Sequence, residues 1–348
     1  MSFDFSNLKL PIIQAPMAGG VNTNKLAAAV ANAGGVGSFG FAYSTPEKIH
    51  QDLIGVKALT SGPINANFFV FNSVELPDFE MQNLAIKALQ SLPISNHLSF
   101  AIPQKPFYPN LEQLLEPVWQ ERPAILSFHF GIPPRPIIEK AQALKIAVGM
   151  TATSVDEALA IEKAGANFIV AQGIEAGGHR GIFDPNVDDE NLSLDVLLPL
   201  MAKRCHLPIV AAGAIMNGYD IDRVMRLGAC AVQMGTAFIC CDESGASPAH
   251  REFILTKPNR GTAFTTGFSG RRAQGIRNEF IVLMEAQLNL PFPIQNTLTG
   301  SLRQIAIQLN NGEYQSLWAG TAYAKSRSMP AGELMKLLGE ELSLLRTS

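Results

Sequence analysis

The feature that most constrains this chain is a regular alternation of two patterns. Short apolar runs bounded by glycine and proline are followed by longer segments of helical period. The runs fall at residues 12–16, 36–40, 64–70, 124–130, 146–150, 168–171, 209–212 and 231–234. Helix signals lie between them: an alanine-rich stretch over 24–33, Thr45 as an N-cap before Pro46, and Thr153-Ser154 ahead of Val155, Ala158, Leu159 and Ile161. Helical segments over 194–204 and 220–227 follow, the second stopped at Gly228, and the C-terminal segment supplies one more. A crossover between parallel strands is nearly always right-handed, so such an alternation closes a barrel or builds a doubly wound sheet. Eight strand–helix units predict an α/β fold, a (β/α)8 TIM barrel.

At 348 residues the chain is longer than the roughly 250 such a barrel needs. The excess is expected in two places. Residues 242–292, rich in Gly, Arg, Pro and Asn, read as a small inserted α/β region after strand eight, a lid on a barrel formed by 1–241 and 293–348. Residues 72–120 decorate the rim. Charged residues make up 16% of the chain, under the roughly 25% usual for soluble domains. That suits parallel strands covered on both faces. The net charge of -3 and the lack of a long basic run argue against nucleic acid or an anionic membrane as a partner. Cys205, Cys230, Cys240 and Cys241 form no Cys-x-x-Cys pair, so neither a zinc site nor a disulfide framework is expected. No apolar run reaches the roughly 18 residues of a membrane span, and no signal-peptide pattern opens the chain. A cytoplasmic protein is expected.

Gly35-Val36-Gly37-Ser38-Phe39-Gly40 matches a dinucleotide-binding pattern. That pattern works only where it follows a strand and opens a helix. Here it follows a helix and lies in a strand, so we read these glycines as close packing.

In a barrel, chemistry sits at the C-terminal ends of the strands, with phosphate held after strands seven and eight. Gly213 and Ala214 follow strand seven, and Gln233-Met234-Gly235-Thr236 ends strand eight. Glycine lets backbone N–H groups approach an anion, and the Thr236 hydroxyl adds a donor. The loop after strand six, from Gln172 to Gly181, holds four glycines and is costly to order unless something binds. Gln172 suits the edge of a heteroaromatic ring, and Gly177 and Gly178 let backbone lie against a flat cofactor. His179 is the candidate acid, base or donor. His129, ending strand four, is either a second substrate contact or a buried core residue. Asn65 and Asn67 alternate to one face of strand three. Arg271, within the stretch 269–274, is either part of a basic lid over the substrate or solvated. No acidic cluster or histidine pair has metal spacing, so no metal is expected. A phosphate grip beside a planar-ring loop implies pyridoxal phosphate or flavin mononucleotide (FMN). The first needs a lysine that these strand ends do not offer, which leaves FMN.

The stretch Pro11–Gly20, the stretch 32–37, the loop 172–181, residues 211–214 and 233–236, and Phe268-Ser269-Gly270-Arg271 together resemble bacterial nitronate monooxygenases. So does Leu317-Trp318-Ala319-Gly320, with Thr321 standing where that family has glutamine. The resemblance covers about 11–320. It implies FMN contacts from Ala15, Pro16, Met17, Asn67, Gln172, Gly177, Gly213 and the stretch 233–236, and an active-site histidine at His179. It also implies an alkyl nitronate as substrate, oxidised with O2 to a carbonyl compound and nitrite. Two rivals share the same grip: an FMN-dependent NAD(P)H reductase of enoyl-thioesters or quinones, and a flavin- or phosphate-sensing barrel without turnover.

Overall fold

The computed structural model describes residues 3–346. Eight parallel strands form the central sheet. They are β1 (Ile12–Gln14), β2 (Gly37–Gly40), β3 (Ile64–Phe69), β4 (Ile125–His129), β5 (Ala147–Ala152), β6 (Phe168–Gln172), β8 (Ile209–Ala212) and β9 (Ala231–Met234). Between β6 and β8 lies a two-residue strand, β7 (Gly178–His179), outside the sheet. The sheet runs β1-β9-β8-β6-β5-β4-β3-β2. Its open edges meet at Val36, which donates to the Ile12 carbonyl at 2.9 Å and accepts from Gln14 N–H at 2.9 Å. The (β/α)8 barrel is thereby closed, as the alternation predicts.

The helices are bounded by the expected caps. Thr45 Oγ1 accepts from Lys48 N–H at 3.3 Å, and Ser154 Oγ accepts from Glu157 N–H at 3.2 Å. The C-terminal helix Ala331–Arg346 packs against the helices Asn24–Asn32 and Gly218–Arg226, burying Leu334, Met335, Leu338 and Leu342. It supplies the eighth helix. No helix among the described residues is long and apolar enough to cross a membrane.

The interior of the barrel changes character along its axis. Its lower half is closed by Ile13, Val36, Ile125, Phe168, Val170 and Val210, with Phe5 plugging the end. Its upper half carries Gln14, Ser38, Asn65, Ser127 and Thr151, all buried. Buried polar groups persist only when hydrogen-bonded, so this layer must be wired internally or to a ligand.

A second apolar core lies above the barrel, built from Ala85, Leu89 and Phe100 of the rim segment together with Phe268, Phe280, Met284, Ile294 and Leu302. Beside it, β10 (Thr262–Thr265) and β11 (Ala273–Ile276) form an antiparallel hairpin, and β11 also pairs with β7. The region after the eighth barrel strand is thus stitched directly to the loop after β6.

Gly37 begins β2 where the barrel touches its first helix. A Cβ on Gly37 would sit 2.1 Å from the Ala27 carbonyl oxygen, so the glycine serves packing, as the sequence reading holds. Gly37→Ala is expected to cost on the order of 1–3 kcal/mol by overpacking. A urea titration of the two proteins measures this, and an unchanged midpoint would refute the close approach.

Candidate functional site

The C-terminal strand ends open into one cavity of about 590 Å³, within the roughly 300–1,000 Å³ typical of cofactor and ligand sites. Ala15, Pro16 and Met17 line it just after β1. Asn22 fixes that turn, its Oδ1 accepting from Met17 N–H at 2.5 Å. Gly213 and Ala214 line it after β8, both with positive φ (142° and 49°). A left-handed alanine is sparsely populated and marks a turn held for a purpose. Gln233, Met234, Gly235 and Thr236 complete that side. The Thr236 hydroxyl accepts from Gly320 N–H at 3.0 Å and keeps its own proton to donate.

The floor is wired as the polar layer requires. Asn67 Nδ2 donates to Ser127 Oγ at 2.9 Å, and Ser127 Oγ donates to Asn65 Oδ1 at 2.8 Å. Asn65 Nδ2 in turn donates to Ser38 Oγ at 3.2 Å. Asn67 lines the cavity; Asn65 lies a layer below and supports it.

The loop after β6 carries the histidine. The His179 carbonyl accepts from Gln172 Nε2 at 3.0 Å and from His129 Nε2 at 3.1 Å. A carbonyl can only accept, so His129 carries its proton on Nε2. Gln172 Oε1 accepts from Gly181 N–H at 2.7 Å. The Gln172 amide, expected to meet a ring edge, therefore spends most of its capacity shaping its own loop and keeps one N–H free. Below it, Arg180 is 2% exposed. Its guanidinium grips Asp189 through Nε at 2.7 Å and Nη2 at 3.0 Å, and Arg272, just before β11, reaches the same carboxylate at 2.9 Å. Bidentate pairs of this kind fix geometry as well as charge.

Gly177 and Gly178 both line the cavity but do different work. A Cβ on Gly177 would strike the Ala319 and Gly320 backbone, so this glycine admits the 317–320 segment against the loop. Gly178 has φ 77° and would turn a Cβ into open space, the kind of backbone against which a flat group can lie.

His179 Nε2 lies 2.9 Å from Ser269 Oγ, and that hydroxyl donates to the Arg271 carbonyl at 3.1 Å. With the hydroxyl proton so committed, His179 donates from Nε2 and keeps its lone pair at Nδ1. Phe69, Phe130, Phe292 and Trp318 surround the imidazole at centroid distances of 5.5–6.0 Å. Withdrawal from water, then the neighbouring His129, Arg271 and Arg303, push His179 down to about 3. His129 is likewise pushed down to about 3, chiefly by burial. Both rings are neutral at pH 7.

Several wall residues carry no signal in the sequence. Arg303, on the helix Gly300–Gln308, lines the cavity and is tied to the Asn296 carbonyl at 2.6 Å. A lone arginine on an amphipathic helix does not announce itself. His250, Trp318 and Phe69 also reach the wall. No aspartate or glutamate does among the described residues. Arg271, expected as a possible substrate contact, is not in the wall: it lies behind it, over the Phe130 ring at 3.8 Å. Thr321 is exposed and bonds Glu175 through its backbone alone, at 3.0 Å.

His129, His179 and His250 all fall below their ordinary 6.5, to about 3, 3 and 4. The unfolded chain therefore binds protons first as pH falls, and stability present above 6.5 drains away toward pH 4. Replacing His179 by Asn should make that slope shallower by about 1 kcal/mol per pH unit. Thermal melts at stepped pH test this; an unaltered slope would mean His179 is not held neutral.

Comparisons with known proteins agree with this architecture. The sequence profile of the family described as nitronate monooxygenase matches residues 3–341. The nitronate monooxygenase of Pseudomonas aeruginosa is 41% identical over 341 residues, covering 96% of this chain and 97% of its own. A probable nitronate monooxygenase of Bacillus subtilis is 36% identical, covering 90% of each chain. Among solved structures, nitroalkane oxidase from Streptomyces ansochromogenes superposes with a TM-score of 0.92 at 33% identity, covering 99% of this chain and 98% of that one. FabK from Thermotoga maritima, at 24% identity and a TM-score of 0.75, shares the fold. With a profile match across nearly its whole length and relatives above 30% identity, this chain belongs to the nitronate monooxygenase family.

Proposed function

We propose that this chain oxidises small alkyl nitronates with molecular oxygen, giving a carbonyl compound and nitrite, and that it uses FMN to do so. The observation that carries the reading is the electrostatics of the cavity. Among the described residues its wall holds no carboxylate, three neutral imidazoles (His129, His179 and His250) and the Arg303 guanidinium, which favours a small anion over a cation or a neutral guest. A histidine pushed down to about 3 is also too weak a base to take a proton from carbon at neutral pH. The site therefore suits a substrate that arrives already deprotonated, as a nitronate does.

The residues fit FMN. Backbone at Gly213, Ala214 and Gly235, with the Thr236 hydroxyl, forms a cradle for the phosphate. Met17, Asn67, Gln233 and the free N–H of Gln172 stand where a ring edge needs donors and acceptors, and Gly178 offers backbone to its face. When bound there, FMN supplies the electron-transfer chemistry that no side chain in the wall can. The protein's part is to position the nitronate. His179, braced by Ser269 and by the two bonds to its carbonyl, holds it against the aromatic wall, and Phe69 and Trp318 keep water out.

We also propose that the lid beginning at 242 extends past 292 through the helix Gly300–Gln308, because Ile294, Leu298 and Leu302 share its apolar core. The protein would work in the cytoplasm on diffusible substrates.

Anaerobic mixing of the purified yellow protein with an alkyl nitronate, and separately with NADPH, tests the reading. Loss of the flavin absorbance with nitronate alone is expected. Loss with NADPH alone would make the protein a reductase, and a colourless protein that takes up no FMN would sink both. His179→Asn should keep its FMN while nitronate turnover falls about 10²-fold through lost positioning; unchanged turnover removes His179 from that role.

A further inference from the structure

Arg271 is the least explained charge in the molecule. It is 5% exposed, and its Nε has no hydrogen-bond partner. Its Nη2 meets only backbone, the carbonyls of Ile182 and Phe183. The acids that face it, Glu157 and Asp184, act from further off and are committed elsewhere. Glu157 accepts from Thr153 N–H, Thr153 Oγ1 and Phe183 N–H, at 2.6, 2.8 and 2.7 Å. Asp184 accepts from the backbone and side chain of Asn186 at 2.9 and 3.0 Å. A buried charge is ordinarily paired, because leaving it unpaired costs stability.

What the guanidinium does face is the site. It stacks on Phe130, whose centroid is 4.4 Å from that of Phe69 and 5.7 Å from that of His179. Phe69 and His179 both belong to the cavity wall. Arg271 thus stands one aromatic layer behind the wall, touching nothing inside. Rings and neutral imidazoles screen a charge weakly, so its field passes into the cavity with little loss.

We propose that Arg271 is a specificity-determining residue: its charge, in direct ion pair with no acid among the described residues and held behind Phe130 and Phe69, makes this cavity select an anionic nitro compound over its neutral conjugate acid. The inference rests on the nitronate reading for the identity of the anion, and only for that. Arg303 adds to the same field, but it lines the cavity, within reach of a guest. Arg271 acts through charge alone, so its removal separates charge from contact.

The test compares the wild type with Arg271→Met and Arg271→Lys, all as the FMN-loaded protein. Binding of two probes is measured by titration calorimetry: nitrite as a small anion and 1-nitropropane as a neutral nitro compound. Kinetics with propyl-1-nitronate run in parallel. Arg271→Met should weaken nitrite binding and lower kcat/KM for the nitronate by about tenfold, while 1-nitropropane binding stays within about twofold. Arg271→Lys should restore most of the loss. Equal losses for anion and neutral probe, no loss at all, or failure of lysine to restore binding would each overturn the proposal. A wild type that binds nitrite in this Arg271-dependent way yet turns over no nitronate would leave the proposal standing and sink the functional reading instead.

Discussion

Everything in this structure depends on the closure of the parallel sheet between β1 and β2. The bonds from Val36 to Ile12 and Gln14 turn an open sheet into a ring. A ring of parallel strands has all its C-terminal ends at one mouth, so segments distant in sequence converge there without any local signal drawing them together. The turn after β1, Asn67 of β3, His129 of β4, Gln172 of β6 and the turns after β8 and β9 share one cavity for this reason. Closure also sets the polarity of the interior. The lower half is sealed from water by apolar side chains, whereas the upper half borders the cavity and can carry amides and hydroxyls provided they are wired to one another.

On that ring the loop after β6 is the most constrained element. Its geometry is over-determined: Gln172 and His129 both bind the His179 carbonyl, β11 pairs with β7, and the Arg180–Asp189–Arg272 group, with Arg180 buried, ties the loop to the region after β9. Such redundancy offsets the conformational entropy of a glycine-rich loop, which otherwise has too few side chains to hold itself. A histidine placed on this loop has its ring and tautomer set by neighbours from three segments. The same packing half-buries it, and this desolvation keeps it neutral. Position and charge state are two consequences of one arrangement.

Much of this was legible in the residues. Short apolar runs alternating with capped helices specify eight strand–helix units, because the two periods and the caps are local properties of the chain. The strand ends that line the cavity could be named for the same reason: once the barrel is expected, the residue following each run is known. Gly213, Ala214, Gly235, Thr236, Gln172 and His179 all reach the cavity wall on that logic. Gly37 could be dismissed as a nucleotide-binding glycine because its place after a helix is also local.

What the tertiary structure alone decided is the division of labour at the mouth. Asn65 and Asn67 share a strand face, yet only their depth in the barrel separates a wall residue from its support. Gln172 is turned inward by partners seven and nine residues away. Arg303 enters the wall because a helix of the second core packs over the mouth, and Arg271 stays behind it because Phe130 stands between. None of these outcomes follows from periodicity or motif, since each depends on which side chain from another segment occupies the neighbouring space. The sequence by itself determined the barrel and the ring of strand ends. Long-range packing decided which residues face the cavity, which brace their neighbours, and which stand behind its wall.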